Sequence, residues 1–323
     1  MLSFFRRNLF INYFFLLLFA IVLQAVFFFS STSENLVISL PVNLTSLPKI
    51  FDSPFFQTFL TIFLITLQGT TISRYVINNR FSRALSVVPG ACFILFASFV
   101  MEDLSFHPAL LANLFFILAI GNLFRIYKKF HPVTNIFNAG LFLSVASLIY
   151  YPYFIFFIVL LLGLISLRNI KWLEFIQLII GFLCGIFLVG VLLYANGHIE
   201  LLGQMIRTNL SMPSIDFTDF NSLIKPVFTL AIILVLVFYQ SEIIRKKNFD
   251  VIRKLELNYW MLLIGLFSVF FIDNLEEIHL LTISFPVSVL GGLLLEKREK
   301  SMNKEFIFLL VLIFYFILVF KLI

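Results

Sequence analysis

Charge is scarce in this sequence: Asp, Glu, Lys and Arg make up 12% of 323 residues, against about 25% in an ordinary soluble domain. A chain this poor in charge cannot cover a water-facing surface, which excludes a soluble globule. It also lacks the low hydrophobicity and high net charge of disordered chains. Cysteine occurs twice, and Cys92 and Cys184 both lie in apolar segments, where a thiol acts as a small hydrophobe. Their isolation offers no disulfide or metal spacing. No Asp, Glu, Lys or Arg stands at the centre of an apolar stretch, which weighs against a proton- or ion-coupled pump. The net charge of +6 is spread over short segments rather than one patch, so nucleic acid is excluded as a partner.

What is present is apolar sequence, 61% of the chain with 45 Phe. Repeated apolar stretches of about 18–22 residues match a hydrocarbon core about 30 Å thick. They fall near 9–29, 55–75, 85–101, 108–125, 133–149, 152–167, 174–194, 226–243, 257–272, 279–295 and 305–320. The pattern predicts an all-α, polytopic transmembrane helical bundle of about eleven spans. The first stretch follows Arg6 and Arg7 but is too long for a signal peptide, and no small-x-small site follows in Ser30–Ser33. An uncleaved first span with a cytoplasmic amino terminus is expected. Strict alternation then puts 19 of the 23 Lys and Arg inside and only Lys49, Arg207, Lys225 and Lys321 outside, with the carboxyl terminus outside. The positive-inside rule requires that asymmetry. The expected location is the inner (plasma) membrane, multi-pass, with membrane lipids as immediate partners. Glu242–Glu256, with Arg245, Lys246, Arg253 and Lys254 opposite Ile244, Phe249, Ile252 and Leu255, is expected as one interfacial helix on anionic headgroups.

Gln57, Gln68, Asn113, Asn122, Asn135, Asn138 and Gln177 fall inside the spans and predict interhelical hydrogen bonds. Some of the same amides would line the path of a lipid or neutral-solute carrier. Acids, His and Arg converge only in the outward loops. The first carries Glu34 and Asp52, the second Glu102, Asp103 and His107, the longest, 196–225, His198, Glu200 and Arg207, and the last clusters Asp273, Glu276, Glu277 and His279, whose residue types alone would suit a divalent ion but whose spacing fixes no geometry. Near-helical apolar spacing from Ile199 to Leu210 predicts an amphipathic helix on the outer surface. A carboxylate at a water–lipid boundary can serve as a base, and a guanidinium can hold a phosphate through two bonds. Glu34, Asp52, Glu102 and Asp103 are therefore candidate catalytic residues. Arg207, His198 and His107 are candidate substrate-binding residues. No metal site and no particular cofactor is indicated.

Residues 102–197 hold an outer acidic pair, a helix beginning HPALLANLFFILAIGNLFRIYKK, then NAGLFLSVASLIYYPYFIFFIVLLLGLISLR and a further Gly-bearing helix. Ala139-Gly140, the hairpin Tyr150 to Tyr153, the basic turn at Arg168 and Gly181 give this region its pattern. It resembles the GT-C membrane glycosyltransferases, over about a third of the chain. The resemblance implies a GT-C-like core over 1–195 (spans one to seven), an outer loop over 196–225 and a carboxyl-terminal membrane region over 226–323. It further implies a polyprenyl-phosphate-linked sugar as donor and an outward-facing active site. An acid in the first outer loop, Glu34 or Asp52, would act as base or acceptor-positioning group, with a second acid, Glu102 or Asp103, after the third span. Arg207 would stabilise charge developing on the leaving phosphate. The whole chain also looks like integral membrane proteins of Bacteroidota, a likeness that implies location alone. The rival expectation is a non-enzymatic scaffold or assembly component of envelope biogenesis, because the loops are scattered and form no compact motif.

Overall fold

A computed structural model describes residues 10–30, 54–82, 86–101, 106–168, 171–200, 203, 220–245, 247–271, 277–296, 308, 309, 311–313, 315 and 316. Every regular element among them is helical. In chain order the α-helices are α1 (Phe10–Ser30), α2 (Pro54–Asn78), α3 (Val88–Val100), α4 (Pro108–Phe124), α5 (Val133–Ile149), α6 (Phe157–Leu167), α7 (Trp172–Ala195), α8 (Phe220–Phe238), α9 (Gln240–Ile244), α10 (Phe249–Phe267) and α11 (Ser284–Glu296). Three 3-10 helices join them: Tyr151–Phe156 leads into α6, Ser268–Phe271 follows α10, and Glu277–Ile283 leads into α11. A helical stretch within 308–316 follows. Phe55–Asn78, Trp172–Ala195 and Glu277–Glu296 are long and apolar enough to cross a membrane. The other apolar helices are shorter: α3, with 13 residues, is only about 20 Å long at 1.5 Å per residue.

Local chemistry explains most boundaries. Pro89 and Pro108 sit in the first turns of α3 and α4, where a missing N–H costs nothing. His107 caps α4 by accepting from the Ala109 N–H at 3.1 Å through Nδ1. Helix α7 ends on Gly197, whose positive φ of 75° lets its N–H reach Tyr194 O and the His198 N–H reach Leu193 O. That is a Schellman ending. The same ending closes α2, but with Arg80 at φ 56° in the glycine position. The single interfacial helix expected over 242–256 is not formed. Arg245 leaves helical geometry at ψ 131° and Asn248 is extended, so the segment divides between α9 and the first two turns of α10.

Packing depends on small residues where backbones approach. A Cβ on Gly140 would lie 2.4 Å from Leu178 O, and one on Gly181 would lie 2.2 Å from Phe137 O. Helices α5 and α7 therefore meet backbone to backbone, the small-residue contact common between membrane helices. Gly292 of α11 likewise admits Pro89 of α3, 2.6 Å from where a Cβ would stand. Between these contacts lies an aromatic stack. Phe116 touches Tyr153, Phe156 and Phe285, and Tyr75 touches Phe81, Phe124 and Phe285. Phe116, Phe124 and Phe285 are fully buried or nearly so. The carboxyl-terminal stretch reaches back to the first helix, with the Tyr315 hydroxyl donating to Leu23 O at 3.1 Å.

Candidate functional site

The contacts sort the helix ends into two sets. At one end meet the starts of α3, α5, α7 and α10 and the ends of α2, α4, α6 and α11. Lys254 Nζ donates to Asn79 Oδ1 at 2.8 Å, Ser86 Oγ to Glu296 Oε1 at 2.5 Å, and Lys129 Nζ to Asn135 Oδ1 at 2.6 Å. Asp250 receives both the Tyr127 hydroxyl and Lys128 Nζ at 3.0 Å. Three cations donate to backbone carbonyls of other segments, one of them, Ser166 O, in the last turn of α6. Lys247 donates to Phe81 O, Arg253 to Ser166 O at 3.2 Å and Arg168 to Lys129 O at 2.8 Å. Helix carboxyl ends carry free carbonyls and partial negative charge, so cations bind well there. Arg168 also pairs with Glu174 at 3.3 Å. The Asp250 carboxyl is held below its ordinary value by the hydrogen bond from Tyr127 and then by that from Lys128. Lys128 is raised by its bond to Asp250, whereas Lys254 is lowered by its loss of water.

The other end gathers histidine and tyrosine. His107 starts α4, Tyr150 follows α5, Ser268 follows α10, and His279 sits in the 3-10 helix leading to α11. His279 is 3% exposed; its Nε2 lies 3.0 Å from Ser268 Oγ and its Nδ1 3.3 Å from the Tyr150 hydroxyl. His107 stands edge-on to Tyr150 with ring centroids 6.2 Å apart. Burial holds the His107 imidazole below its ordinary value. Lys225 of α8 pairs with Glu277 beside this group. Three turns of 3-10 helix converge here, a geometry with poorer hydrogen bonds than α-helix.

A polar network fills the space below. Tyr153 OH donates to Asn113 Oδ1 at 3.0 Å, and Asn113 Nδ2 donates to Gln68 Oε1 at 2.9 Å and Ser284 Oγ at 3.0 Å. Gln68 Nε2 completes the set on Leu110 O at 2.7 Å. All four side chains are fully buried, and they tie α2, α4, the first 3-10 helix and α11 together. Asn135, besides its bond from Lys129, donates to Asn122 Oδ1 at 3.4 Å. The bonds of Asn113 hold helices to one another, and Asn135 ties α5 to Asn122 of α4 and to Lys129 in the turn between them.

Of the residues singled out from the sequence, Glu34, Asp52, Glu102, Asp103 and Arg207 lie outside the described residues. His107 is placed at the mouth of α4, against Tyr150. His198 is exposed at the end of α7, next to an apolar depression formed by Ile186, Phe187, Gly190, Val191, Tyr194 and Ile199. His107 and His198 are not brought into contact. Tyr150 was marked only as the start of an outer hairpin and Ser268 not at all, because nothing local ties them to His279: Tyr150 is 129 residues from it. The signal available was the pair of loop histidines at His107 and His279, each preceded by acids. Among the described residues no group of three or more His, Cys, Asp or Glu could hold a metal ion. Compared with protein-family profiles, with curated proteins and with solved structures, the chain has no match.

Proposed function

We propose that the chain is a multi-pass inner-membrane protein of about eleven spans, its basic end in the cytoplasm, acting as a glycosyltransferase-like protein at its histidine end. The observation that carries this reading is the meeting of His107 and His279 at Tyr150. Each of these histidines follows acids in the sequence, Glu102 and Asp103 before His107 and Asp273, Glu276 and Glu277 before His279. The donor would be a polyprenyl-phosphate-linked sugar. Glu102 or Asp103, with Glu34 or Asp52, would serve as base or acceptor-positioning group, and Arg207 would meet the donor phosphate. The GT-C-like arrangement of spans one to seven belongs to the same proposal. The test is sugar transfer from a polyprenyl-phosphate donor in membranes containing the full chain. Loss of product on Asp103→Ala and on Arg207→Ala, with protein levels unchanged, is the expected result; full product from both variants overturns it.

A second reading, a scaffold or assembly component of envelope biogenesis, has its own observation. Helix α7 buries only 28% of its apolar window and exposes Trp172, Leu173, Leu183, Phe187 and Leu192. A stable partner retained through detergent purification, together with unaltered transfer in the variants above, favours this reading. The carrier alternative is weakened by Asn113 and Asn135, whose polar atoms bond within the bundle.

A further inference from the structure

Two large side chains at the basic end stand almost free of the protein: Phe130 is 89% exposed and Trp172 80%. Phe130 lies in the turn between α4 and α5, and Trp172 opens α7. Arg168 ties the two segments together, donating to Lys129 O and pairing with Glu174 in the first turn of α7. Leu173 adds a third exposed apolar side chain. Apolar groups held out this far mark a surface that something apolar covers. Above Trp172 the exposed face of α7 continues through Ile176, Ile180, Leu183 and Phe187, a spacing that puts them in one stripe along the helix.

The charge beside these side chains is basic. Lys128, Lys129 and Lys171 are exposed. Of the described carboxylates, Glu174 is engaged by Arg168, and Asp250 of the neighbouring α10 by Lys128 and Tyr127. Lys171 bonds no described residue through its side chain, and Lys129 gives one of its three donors to Asn135. Cations, then rings, then an apolar stripe follow the outline of a phospholipid, from phosphate to acyl chains. The headgroup contact expected over 242–256 is correspondingly smaller, because Arg253 and Lys254 donate inside the protein, to Ser166 O and Asn79.

We propose that the turn between α4 and α5 and the start of α7 form a seat for an anionic phospholipid, with Lys129 and Lys171 at its headgroup and Phe130 and Trp172 among its upper chains. The inference rests on the chain spanning a membrane and is independent of sugar transfer. A zwitterionic headgroup brings its own cation to the same lysines, so the seat discriminates by charge. Each Lys held near an anionic surface favours it about fivefold.

The two tryptophans of the chain serve as reporters. Trp260, half-exposed on α10, stands one turn from the exposed Glu256 and is the control. The full-length protein is placed in nanodiscs of phosphatidylcholine and phosphatidylglycerol, with bromine on the acyl chains of one lipid at a time. Trp260→Phe leaves Trp172 to report, and Trp172→Phe leaves Trp260. Brominated phosphatidylglycerol should associate with Trp172 about fivefold or more above brominated phosphatidylcholine, whereas Trp260 should be quenched alike by both. Lys129→Gln combined with Lys171→Gln should bring Trp172 to parity; both positions are exposed, and a Gln amide at 129 can still donate to Asn135. Equal quenching of Trp172 by the two lipids, or a preference that survives the paired substitution, overturns the proposal. Quenching of Trp172 by aqueous iodide and by neither lipid overturns it too, and turns that surface to water or a protein partner. A Trp260 that neither lipid quenches overturns the membrane reading itself, so the two failures are told apart.

Discussion

The two ends of the bundle are fastened by opposite chemistry. At the basic end, permanent cations reach across to helix carbonyls and carboxylates, as Arg253 does to Ser166 O and Lys128 to Asp250. At the histidine end one ion pair, Lys225 with Glu277, stands beside fastenings that are neutral and directional: an imidazole lone pair caps α4, and His279 lies between a serine hydroxyl and a phenol. Cationic caps keep their charge over any ordinary pH, whereas an imidazole lone pair caps a helix only while unprotonated. One end should thus be sensitive to salt and the other to acid.

The strongest way to break this comparison is to remove the neutral network below the histidine end. Asn113→Ala strips Tyr153 and Gln68 of partners at a fully buried position, and each group left without one costs about 1–3 kcal/mol. A loss of about 2 kcal/mol or more is expected, read as a lowered melting temperature in detergent. Arg253→Met at the basic end keeps the stem and removes the cap on Ser166 O. It should cost about 1 kcal/mol, with the loss unchanged from pH 8 to 5. His107→Ala removes an N-cap, for about 1 kcal/mol at pH 8. Its imidazole sits below its ordinary value, so the neutral form is favoured by folding. The cap's contribution is complete above about pH 6.5 and declines as pH falls below it. His107→Ala should therefore differ from wild type at pH 8 and converge with it in acid. The smallest effect belongs to Asp250→Asn, at an exposed ion pair: a shift visible at low salt and screened away at high salt. Because the Asp250 carboxyl is depressed, its contribution is complete above the ordinary carboxyl value and disappears only as pH falls below that value.

Periodicity and apolar length made the helices legible. The stretch expected at 133–149 is helix α5 residue for residue, and each of the other expected stretches contains or overlaps a described helix. Tyr151–Phe156 escaped that reading, since a Tyr-Pro start with uninterrupted apolar residues looks alike whether the turn is 3-10 or α. The division of 242–256 escaped it because both halves keep amphipathic spacing on either side of Asn248. The site was less legible. Asn113 was visible as an amide within a span, but its partner Ser284 lies 171 residues away, a pairing set by tertiary packing. Tertiary packing likewise gathers Asn79, Lys128, Arg168, Lys247, Lys254 and Glu296 at one end.

Helix α3 carries a consequence for how the chain is assembled. All of its described residues but Cys92 are buried, and part of its cover comes from α11, through Pro89 against Gly292 and Ser86 on Glu296, some 200 residues later in the chain. During synthesis α3 must therefore wait, with its groove for Gly292 unfilled, until nearly the whole sequence has been made. A helix about 20 Å long can be tolerated in a bilayer about 30 Å thick once other helices surround it. In the multi-pass arrangement proposed above, it would before then meet lipid that it is too short to span.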